Sequence, residues 1–122
     1  MNATAVSVHN DAKNAQTGAN KTTDGYGVIE NLQTPNQISV FFPSHGNTPQ
    51  PYNVWLTDYT SYTLVYACKQ IIPNLLRFET AWILSRQPVL DEVLVAKLVD
   101  FYKQKGLDVS IFEKTDQTGC VY

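Results

Sequence analysis

Few side chains in this sequence have both the functional groups and the neighbours along the chain that catalysis requires. Asp58 could act as a general base, and Cys68 could be an activated thiol because the adjacent Lys69 would lower its pKa. Neither His9 nor His45 lies near Cys68 in sequence, and no Gly-rich phosphate loop, Gly-x-Ser-x-Gly elbow or Glu-x-x-His motif occurs. An aspartate in a polar turn usually caps backbone amides. We therefore expect no enzyme activity, a turn-capping Asp58 and a structural Cys68.

Composition and charge exclude several other classes of protein. The only cysteines are Cys68 and Cys120, no Cys-x-x-Cys is present, and two histidines give no zinc-site spacing. From composition alone the two thiols are either free or joined in one disulfide. The net charge is -2 with no run of Lys or Arg, so no nucleic-acid partner is expected. No stretch approaches the ~18 consecutive apolar residues of a membrane span.

The first residues bear on localisation. The segment 1–4, Met-Asn-Ala-Thr, has neither a basic n-region nor an apolar h-region, so no signal peptide is expected in this chain. Either a cytosolic chain or a mature or truncated form of a secreted one would fit. Glycosylation sequons at Asn2 and Asn20 are compatible with secretion.

The residues that position these side chains fall into short apolar runs within one domain, 1–122. Runs of β-branched and aromatic residues, separated by Pro, Gly and Asn, predict about seven short strands between about residues 3 and 86. The clearest runs are 38–42, 52–56, 61–69 and 78–84. Polar or proline-rich stretches at 10–24, 43–51 and 70–76 are predicted to be mainly loops.

Near the C-terminus the apolar period changes from two to that of a helix. Val95, Leu98, Val99 and Tyr102 form one helical stripe, which predicts a helix over about 91–105 that stops at Gly106. A last short strand is predicted at about 108–113. This order is not βαβ alternation, and it favours an antiparallel barrel or sandwich with an appended helix.

Two segments of the second half resemble signatures of the lipocalin family. Thr57-Asp58-Tyr59, followed by the strand Leu64–Cys68, is similar to the second signature, and Ala81–Arg86 to the third, where a strand ends in an arginine. The helix and the segment 115–120 resemble the region that follows. The likeness is greatest to the branch with apolipoprotein D and the insect bilin-binding lipocalins, and it is dense over 52–120. It implies an all-β, antiparallel up-and-down barrel with one C-terminal helix, and an extracellular location.

The resemblance has one large departure. Lipocalins open with a Gly-x-Trp signature on strand A, which this chain lacks, so the resemblance implies an incomplete barrel without that strand. The family arginine, here Arg86, would then lack the tryptophan it normally covers. In relatives the cysteines matching Cys68 and Cys120 each bond to one in the N-terminal region. The resemblance thus implies unpaired or intermolecular cysteines and no Cys68–Cys120 bridge.

The resemblance, together with the alternation of strand residues, also predicts a ligand site. If Trp82 points into the barrel, the alternate residues of its strand do so too. Residues expected to contact ligand are Trp82, Phe78, Thr80, Leu84, Tyr52, Val54, Leu56, Ile38, Val40 and Phe42. Tyr62 and Tyr66 are expected to point outward under the helix. The implied function is binding and transport of a small hydrophobic molecule: a bilin, retinoid, sterol or fatty acid. No cofactor is obligatory, although a bilin or another apolar chromophore would fit.

A second hypothesis makes the chain an assembly protein. A barrel without its first strand exposes two strand edges, and unpaired edges recruit other strands. The chain could form a homo-oligomer or accept a strand from a partner, locked by Cys68 or Cys120. A third is a truncated lipocalin with no transport activity of its own.

Overall fold

The computed structural model describes residues 4–14, 16–117 and 120. Six strands are followed by one helix, with short 3-10 turns at Pro43–His45 and Val109–Ile111. The strands are β1 (Ala5–Lys13), β2 (Asn20–Val28), β3 (Gln37–Phe41), β4 (Gln50–Thr57), β5 (Tyr62–Ile72) and β6 (Leu76–Ser85), and the helix is α1 (Glu92–Gln104).

The strands form one antiparallel meander in the order β1-β2-β3-β4-β5-β6. The sheet curves into half of a barrel with α1 on its convex side, which confirms the predicted all-β class, the up-and-down order and the single C-terminal helix. Within the described residues β1 pairs only with β2 and β6 only with β5. The sheet therefore stays open at both edges.

Two of the predicted loops are wrong, because β1 and β2 form a regular hairpin through residues 10–24 and β5 runs on through Ile72. The β1–β2 ladder spans nine residue pairs, from Ala5↔Val28 to Lys13↔Asn20. Its turn is closed by Gly18, at φ +71°, and by the side chain of Asn14, which accepts hydrogen bonds from two backbone amides. Polar residues of low strand propensity are extended here because cross-strand pairing outweighs their local preference.

Helix α1 ends in a Schellman motif. Gly106, at φ +89°, donates its amide to the Lys103 carbonyl, and Leu107 donates to the Tyr102 carbonyl. This pattern satisfies carbonyls that the last turn leaves unpaired. Leu107 then packs against the apolar cluster under the helix, so the motif also fixes the direction in which the chain leaves.

Replacing Gly106 with alanine should destabilise the fold through the backbone alone. No atom of the described residues lies within 4 Å of the Cβ that the substitution adds, so the cost is that of holding alanine at positive φ. We expect a loss of about 1–2 kcal/mol in unfolding free energy, measured by urea denaturation. Lys105→Ala, one residue earlier at φ -83°, is the matched control and should change stability by less than about 0.5 kcal/mol.

The main apolar cluster lies between α1 and the convex face of β4, β5 and β6. Leu64, Leu98 and Tyr102 are buried at its centre, and the predicted helical stripe accordingly faces the sheet. Around them pack half-buried residues from the strands, the helix and the segment that follows it: Trp55, Leu56, Tyr62, Ala81, Ile83, Leu90, Leu94, Phe101, Leu107, Val109 and Phe112.

The predicted last strand at 108–113 is wrong, because residues Val109–Ile111 form a 3-10 turn. The Asp108 carboxylate accepts hydrogen bonds from the amide and the hydroxyl of Ser110, which closes the turn. Phe112 then packs on Tyr102, with the ring centroids 5.4 Å apart. The segment closes the end of the helix cluster and adds no strand to the sheet.

Candidate functional site

The concave face of the half-barrel carries an open cavity of about 810 Å³. Ligand sites in proteins commonly have volumes of about 300–1,000 Å³ and mainly apolar walls. Seven of the residues predicted to contact ligand line this cavity: Val40, Phe42, Tyr52, Phe78, Thr80, Trp82 and Leu84. His45, in the proline-rich segment 43–51, also lines it, as do Asn10 and Lys69.

Strand β6 supplies one continuous row of that face. Phe78, Thr80, Trp82 and Leu84 alternate with residues that face the helix, as the pleat of a strand requires. The row is open to solvent: the exposed fractions are 67% for Phe78, 40% for Trp82 and 42% for Leu84. On the same face the Tyr52 ring stacks toward Trp82, with the centroids 6.3 Å apart and the planes 25° from parallel.

The predicted residues Ile38 and Val54 also point to the concave side. Ile38 lies on the same face as Val40, and its Cγ2 is next to Gly27, where an added Cβ would come within 3.0 Å. Val54 lines a second cavity of about 540 Å³ toward the turn between β4 and β5. Tyr52 and Leu84 line both cavities, so the two are neighbouring parts of one surface.

The prediction for Leu56 is wrong, because Leu56 packs in the cluster under the helix. Val54 pairs with Val65 but Leu56 pairs with Leu64, so one residue of β4 has no counterpart on β5. That β-bulge shifts the alternation by one residue. Each side chain beyond it therefore lies on the face opposite to the one that unbroken alternation predicts. Simple alternation counted from Tyr52 therefore assigns Leu56 to the wrong side.

The residue at the bulge, Trp55, was not singled out from the sequence. Its ring stacks on Tyr66 with the centroids 4.2 Å apart, and it lies 5.9 Å from the ring of Tyr102 on the helix. Tyr62 packs in the same cluster, and both tyrosines face the helix as expected. The two tryptophans of the chain thus lie on opposite faces of the sheet.

Tyr102 joins the helix to the floor of the concave site. Its side chain is fully buried, and its hydroxyl lies 2.7 Å from the Val65 carbonyl and 2.8 Å from the Trp82 carbonyl. Burial raises the pKa of Tyr102 to about 12, so the hydroxyl keeps its proton and donates to one of these oxygens at a time. The helical stripe predicts a buried Tyr102, but no sequence signal indicates this hydrogen bond.

The turn between β4 and β5 is built around Asp58. One carboxylate oxygen accepts hydrogen bonds from the amides of Thr60, Ser61 and Tyr62 at 2.8–3.0 Å, and the other accepts one from the Ser61 hydroxyl. Tyr59 takes the left-handed backbone conformation at φ +67°. The structure thus gives Asp58 the capping role expected from the sequence.

Arg86 fastens the end of β6 to the same turn. Its guanidinium Nη2 donates to the Tyr59 carbonyl at 3.2 Å, and its backbone amide donates to the Ser61 carbonyl at 3.1 Å. On the other side of the turn the Thr57 hydroxyl donates to the Tyr62 carbonyl at 2.8 Å and accepts from the Tyr59 amide. The signature residues Thr57, Asp58, Tyr59 and Arg86 thus form one hydrogen-bonded unit.

A sequence profile of the Lipocalin / cytosolic fatty-acid binding protein family matches residues 6–119. The chain belongs to the lipocalin family. Apolipoprotein D of Bos taurus is 36% identical over 101 residues, which cover 80% of this chain and 50% of the relative. The Lazarillo protein of Schistocerca americana is 30% identical over 121 residues, covering 97% of this chain and 55% of the relative. This lipocalin chain therefore spans about half the length of the curated relatives it matches.

Solved structures show the same fold. Apocrustacyanin C2 superposes with a TM-score of 0.80 at 19% identity, over 98% of this lipocalin chain and 63% of its own. H1 crustacyanin from the lobster Homarus americanus gives a TM-score of 0.78 at 21% identity, with the same coverage of 98% and 63%. At these identities the likeness concerns the fold.

The turn between β4 and β5 should make this lipocalin less stable toward urea in acid than at neutral pH. Its hydrogen bonds, led by that from the Ser61 hydroxyl, hold the pKa of Asp58 far below its ordinary value of 3.8. A depressed folded-state pKa contributes stability above the unfolded value, and this contribution disappears as the pH falls toward the folded value. Urea midpoints should therefore fall from pH 5 to pH 3 more in wild type than in Asp58→Asn.

The comparison of those two proteins isolates Asp58. Asp11 and Asp108 also have pKa values lowered by hydroxyl hydrogen bonds, but they titrate equally in both proteins. At pH 7 Asp58→Asn should be the less stable protein, since it has no carboxylate for three amides to bind. If the urea midpoint falls equally in both proteins between pH 5 and pH 3, Asp58 does not cause the acid sensitivity.

The two cysteines of the lipocalin differ in exposure. Both are free; Cys68 is half-buried on β5 opposite Glu79, and Cys120 is exposed. Cys68 is on the convex side, since its neighbour Ala67 lines the concave cavity. Burial, with Cys68 and Glu79 close by, raises the pKa of Tyr66 to about 12. The structure contains no Cys68–Cys120 bridge.

His9 lies in a cluster of ionisable groups that the sequence did not suggest. Its Nδ1 lies against Asp24 and its Nε2 lies 3.1 Å from Asp11, all on the exposed β1–β2 hairpin. These hydrogen bonds, the one to Asp24 first, raise the pKa of His9. Within the described ranges no group of His, Cys, Asp and Glu side chains has metal-binding geometry. Nor does the described chain hold a helix with the length and apolar character needed to cross a membrane.

Proposed function

We propose that this lipocalin binds and transports a small hydrophobic molecule on the concave face of its sheet. The observation that carries the proposal is the exposure of Phe78, Trp82 and Leu84 in a row along the 810 Å³ cavity. Large apolar side chains grouped on a concave surface mark a place where another apolar body is buried. Candidate ligands are a bilin, a retinoid, a sterol or a fatty acid, and an apolar chromophore is among them.

Binding would come mainly from the apolar area removed from water, at about 25 cal/mol per Å². Trp82 and Tyr52 stack toward each other and together present an aromatic surface on which a flat or flexible ligand can pack. Thr80 and Tyr52 supply the few hydroxyl groups that fix orientation. Partial burial raises the pKa of Tyr52, so its hydroxyl remains a donor at neutral pH.

The opposite placement of the two tryptophans permits a direct test. Calorimetric titration with retinol, biliverdin, cholesterol and hexadecanoic acid first establishes which class binds. A dibrominated stearic acid then reports location, since bromine quenches indole fluorescence only near contact. Trp55→Phe, which leaves Trp82, should be quenched, whereas Trp82→Phe, which leaves Trp55, should not.

Two results would contradict the proposal. No heat and no quenching with any of the four ligand classes would mean that the concave face holds none of them. Equal quenching in both single-tryptophan variants would mean that the ligand does not bind preferentially to the concave face.

A second candidate function is assembly through strand edges. β1 and β6 each have one unpaired edge within the described residues, nine and ten residues long. Such edges pair with strands of a second copy or of a strand-donating partner. Native mass spectrometry with and without reductant would detect an oligomer and any bond through Cys68 or Cys120. A reduced monomer across the concentration range would rule this function out.

Extracellular action is part of the proposal. It rests on the family and on the sequon at Asn20, the exposed first residue of β2. The other sequon residue, Asn2, lies outside the described residues. Expression in a secreting animal cell should yield the protein in the culture medium, and its mass should decrease on enzymatic deglycosylation. Asn20→Gln should abolish the part of that decrease that comes from this site.

A further inference from the structure

The tip of the β5–β6 hairpin, residues 71–76, is apolar although it is exposed. Its sequence, Ile-Ile-Pro-Asn-Leu-Leu, holds one polar side chain, whereas turns are mostly built from Gly, Pro, Asn, Asp and Ser. The exposed fractions are 45% for Ile71, 46% for Ile72, 80% for Leu75 and 49% for Leu76. Apolar side chains scattered singly over a surface are ordinary, but four in one turn form a patch that marks a contact with another apolar body.

The backbone of this hairpin tip is held by local interactions. Pro73 restricts its own φ, and Asn74 takes the left-handed conformation at φ +62°. The Leu75 amide donates to the Ile72 carbonyl at 3.0 Å, which closes the turn. The apolar side chains are therefore presented from an ordered turn, and less conformational entropy is lost when the tip contacts a partner.

The end of the sheet that carries this tip is positively charged. In an antiparallel meander the β1–β2, β3–β4 and β5–β6 connections all lie at one end. The stretches that form this end contain no Asp or Glu: 12–21, 42–50 and 69–77. They contain four cations: Lys13, Lys21, Lys69 and Arg77. Arg77 pairs with Glu79 at 2.7 Å, whereas the three lysines form no ion pair within the described residues.

The opposite end of the sheet has the reverse charge. Its three connections, 29–36, 58–61 and 86–91, hold three carboxylates and one cation. The chain as a whole has a net charge of -2, so the excess of cations beside the hairpin tip is local. Charge separated in this way turns the positive end of a protein toward a negative surface.

We propose that the hairpin tip docks on the surface of a lipid bilayer that contains anionic phospholipid. Its apolar side chains enter the interfacial region of the bilayer, where their apolar area leaves water. Each basic residue close to an anionic leaflet strengthens such an attachment. Lys69 belongs to the same hairpin as the tip, whereas Lys13 and Lys21 belong to the first hairpin. An extended anionic surface can contact both hairpins at once.

Docking in this orientation brings the 810 Å³ cavity to the lipid surface. Ile71 and Phe78, both on the docking hairpin, line that cavity together with Lys69, whereas Leu75 lines neither of the two cavities. An apolar ligand can then pass between the bilayer and the cavity without crossing bulk water. That passage rests on the proposed function, whereas the docking itself does not.

The test measures binding to vesicles by flotation, without added ligand, and compares phosphatidylcholine with a three-to-one mixture of phosphatidylcholine and phosphatidylserine. The proteins are produced in bacteria, so that Asn20, at the same end, carries no glycan. Wild type should bind the mixed vesicles at least about tenfold more tightly, and added salt should reduce the difference. Leu75→Ser should weaken binding to the mixed vesicles about tenfold. Leu32→Ser, 66% exposed at the opposite end, is the matched control and should behave as wild type.

Lys69→Gln tests the electrostatic part of the docking. It should weaken binding to the mixed vesicles about fivefold and leave binding to the neutral vesicles unchanged. Lys97→Gln removes an exposed lysine from the helix, beside the buried Leu98, and should change neither. Leu75→Ser should keep the wild-type affinity for a cavity ligand in calorimetry, so loss of docking and loss of ligand binding are separate results.

Equal binding of wild type to both kinds of vesicle would overturn the inference, as would equal losses of binding in Leu75→Ser and Leu32→Ser. Sedimentation velocity tests the main alternative occupant, a second copy of this chain. If Leu75→Ser abolishes a dimer and leaves vesicle binding unchanged, the tip is a protein interface and the inference is wrong. Each of these results leaves the proposed function standing, because calorimetry tests ligand binding without lipid vesicles.

Discussion

Tyr102→Ala is expected to lower the free energy of unfolding by about 3–5 kcal/mol, as for other large aromatic side chains removed from a core. Tyr102 is fully buried and touches the rings of Trp55, Phe101 and Phe112. Its removal leaves a cavity between the helix and the sheet. Since small domains have only about 5–15 kcal/mol of stability in total, urea denaturation should show a large fall in midpoint.

Tyr102→Phe separates packing from hydrogen bonding. The ring stays, but the carbonyl oxygens of Val65 and Trp82 lose the buried hydroxyl that lies 2.7 and 2.8 Å away. An unsatisfied buried acceptor costs about 1–3 kcal/mol. Tyr59→Phe, on a side chain that is 82% exposed, should change stability by less than about 0.5 kcal/mol. A neutral Tyr102→Phe would mean that the hydroxyl does not stabilise the junction of β5 and β6.

Trp82→Ala is expected to weaken ligand binding about thirtyfold, or about 2 kcal/mol, with little loss of stability. The side chain is 40% exposed on the concave face and stacks toward Tyr52, so the protein loses little packing when it is truncated. The ligand loses both the apolar area and the ring face. Calorimetry with the ligand that wild type binds most tightly measures the change.

Trp55→Phe is the matched control for that experiment. Trp55 packs under the helix against Tyr66, so its truncation should reduce stability and leave affinity unchanged. Stability and affinity should thus respond to opposite tryptophans. Equal loss of affinity in both variants would show that binding depends on the fold as a whole and not on contact with Trp82.

The parts of the fold that could be predicted from the sequence are those with a strong apolar period. The stripe through Leu98 and Tyr102 predicts the helix to within one residue at each end, and β5 and β6 are rich in β-branched and aromatic residues. The first hairpin was missed because Asn10–Lys13 and Asn20–Asp24 are polar and form strands only through pairing with each other. The 3-10 turn after the helix is not predicted because the β-branched and aromatic residues of Val109–Phe112 favour a strand, whereas the cap that Asp108 provides to Ser110 fixes a turn.

The candidate ligand site could likewise be predicted only where the strands keep a regular alternation. Alternation along β6 places Phe78, Thr80, Trp82 and Leu84 correctly on one face, since β6 keeps its register over that stretch. Alternation along β4 fails after Val54, because nothing in the residue types at 54–56 indicates a bulge. The link from Tyr102 to the carbonyl of Trp82 depends on how the helix docks, which no local pattern encodes.

The irregularity at Trp55 has an evolutionary consequence. Before it, Tyr52 and Val54 line the concave surface; from it onward, Trp55 and Leu56 support the helix. Under the proposed function, selection for ligand choice and selection for stability would therefore act on adjacent segments of one strand without sharing a side chain. Substitutions at 52 and 54 would then change which ligand the proposed site prefers, with little effect on the stability of the fold. Substitutions at 55 and 56 would change the stability of the fold and leave that ligand preference unaltered.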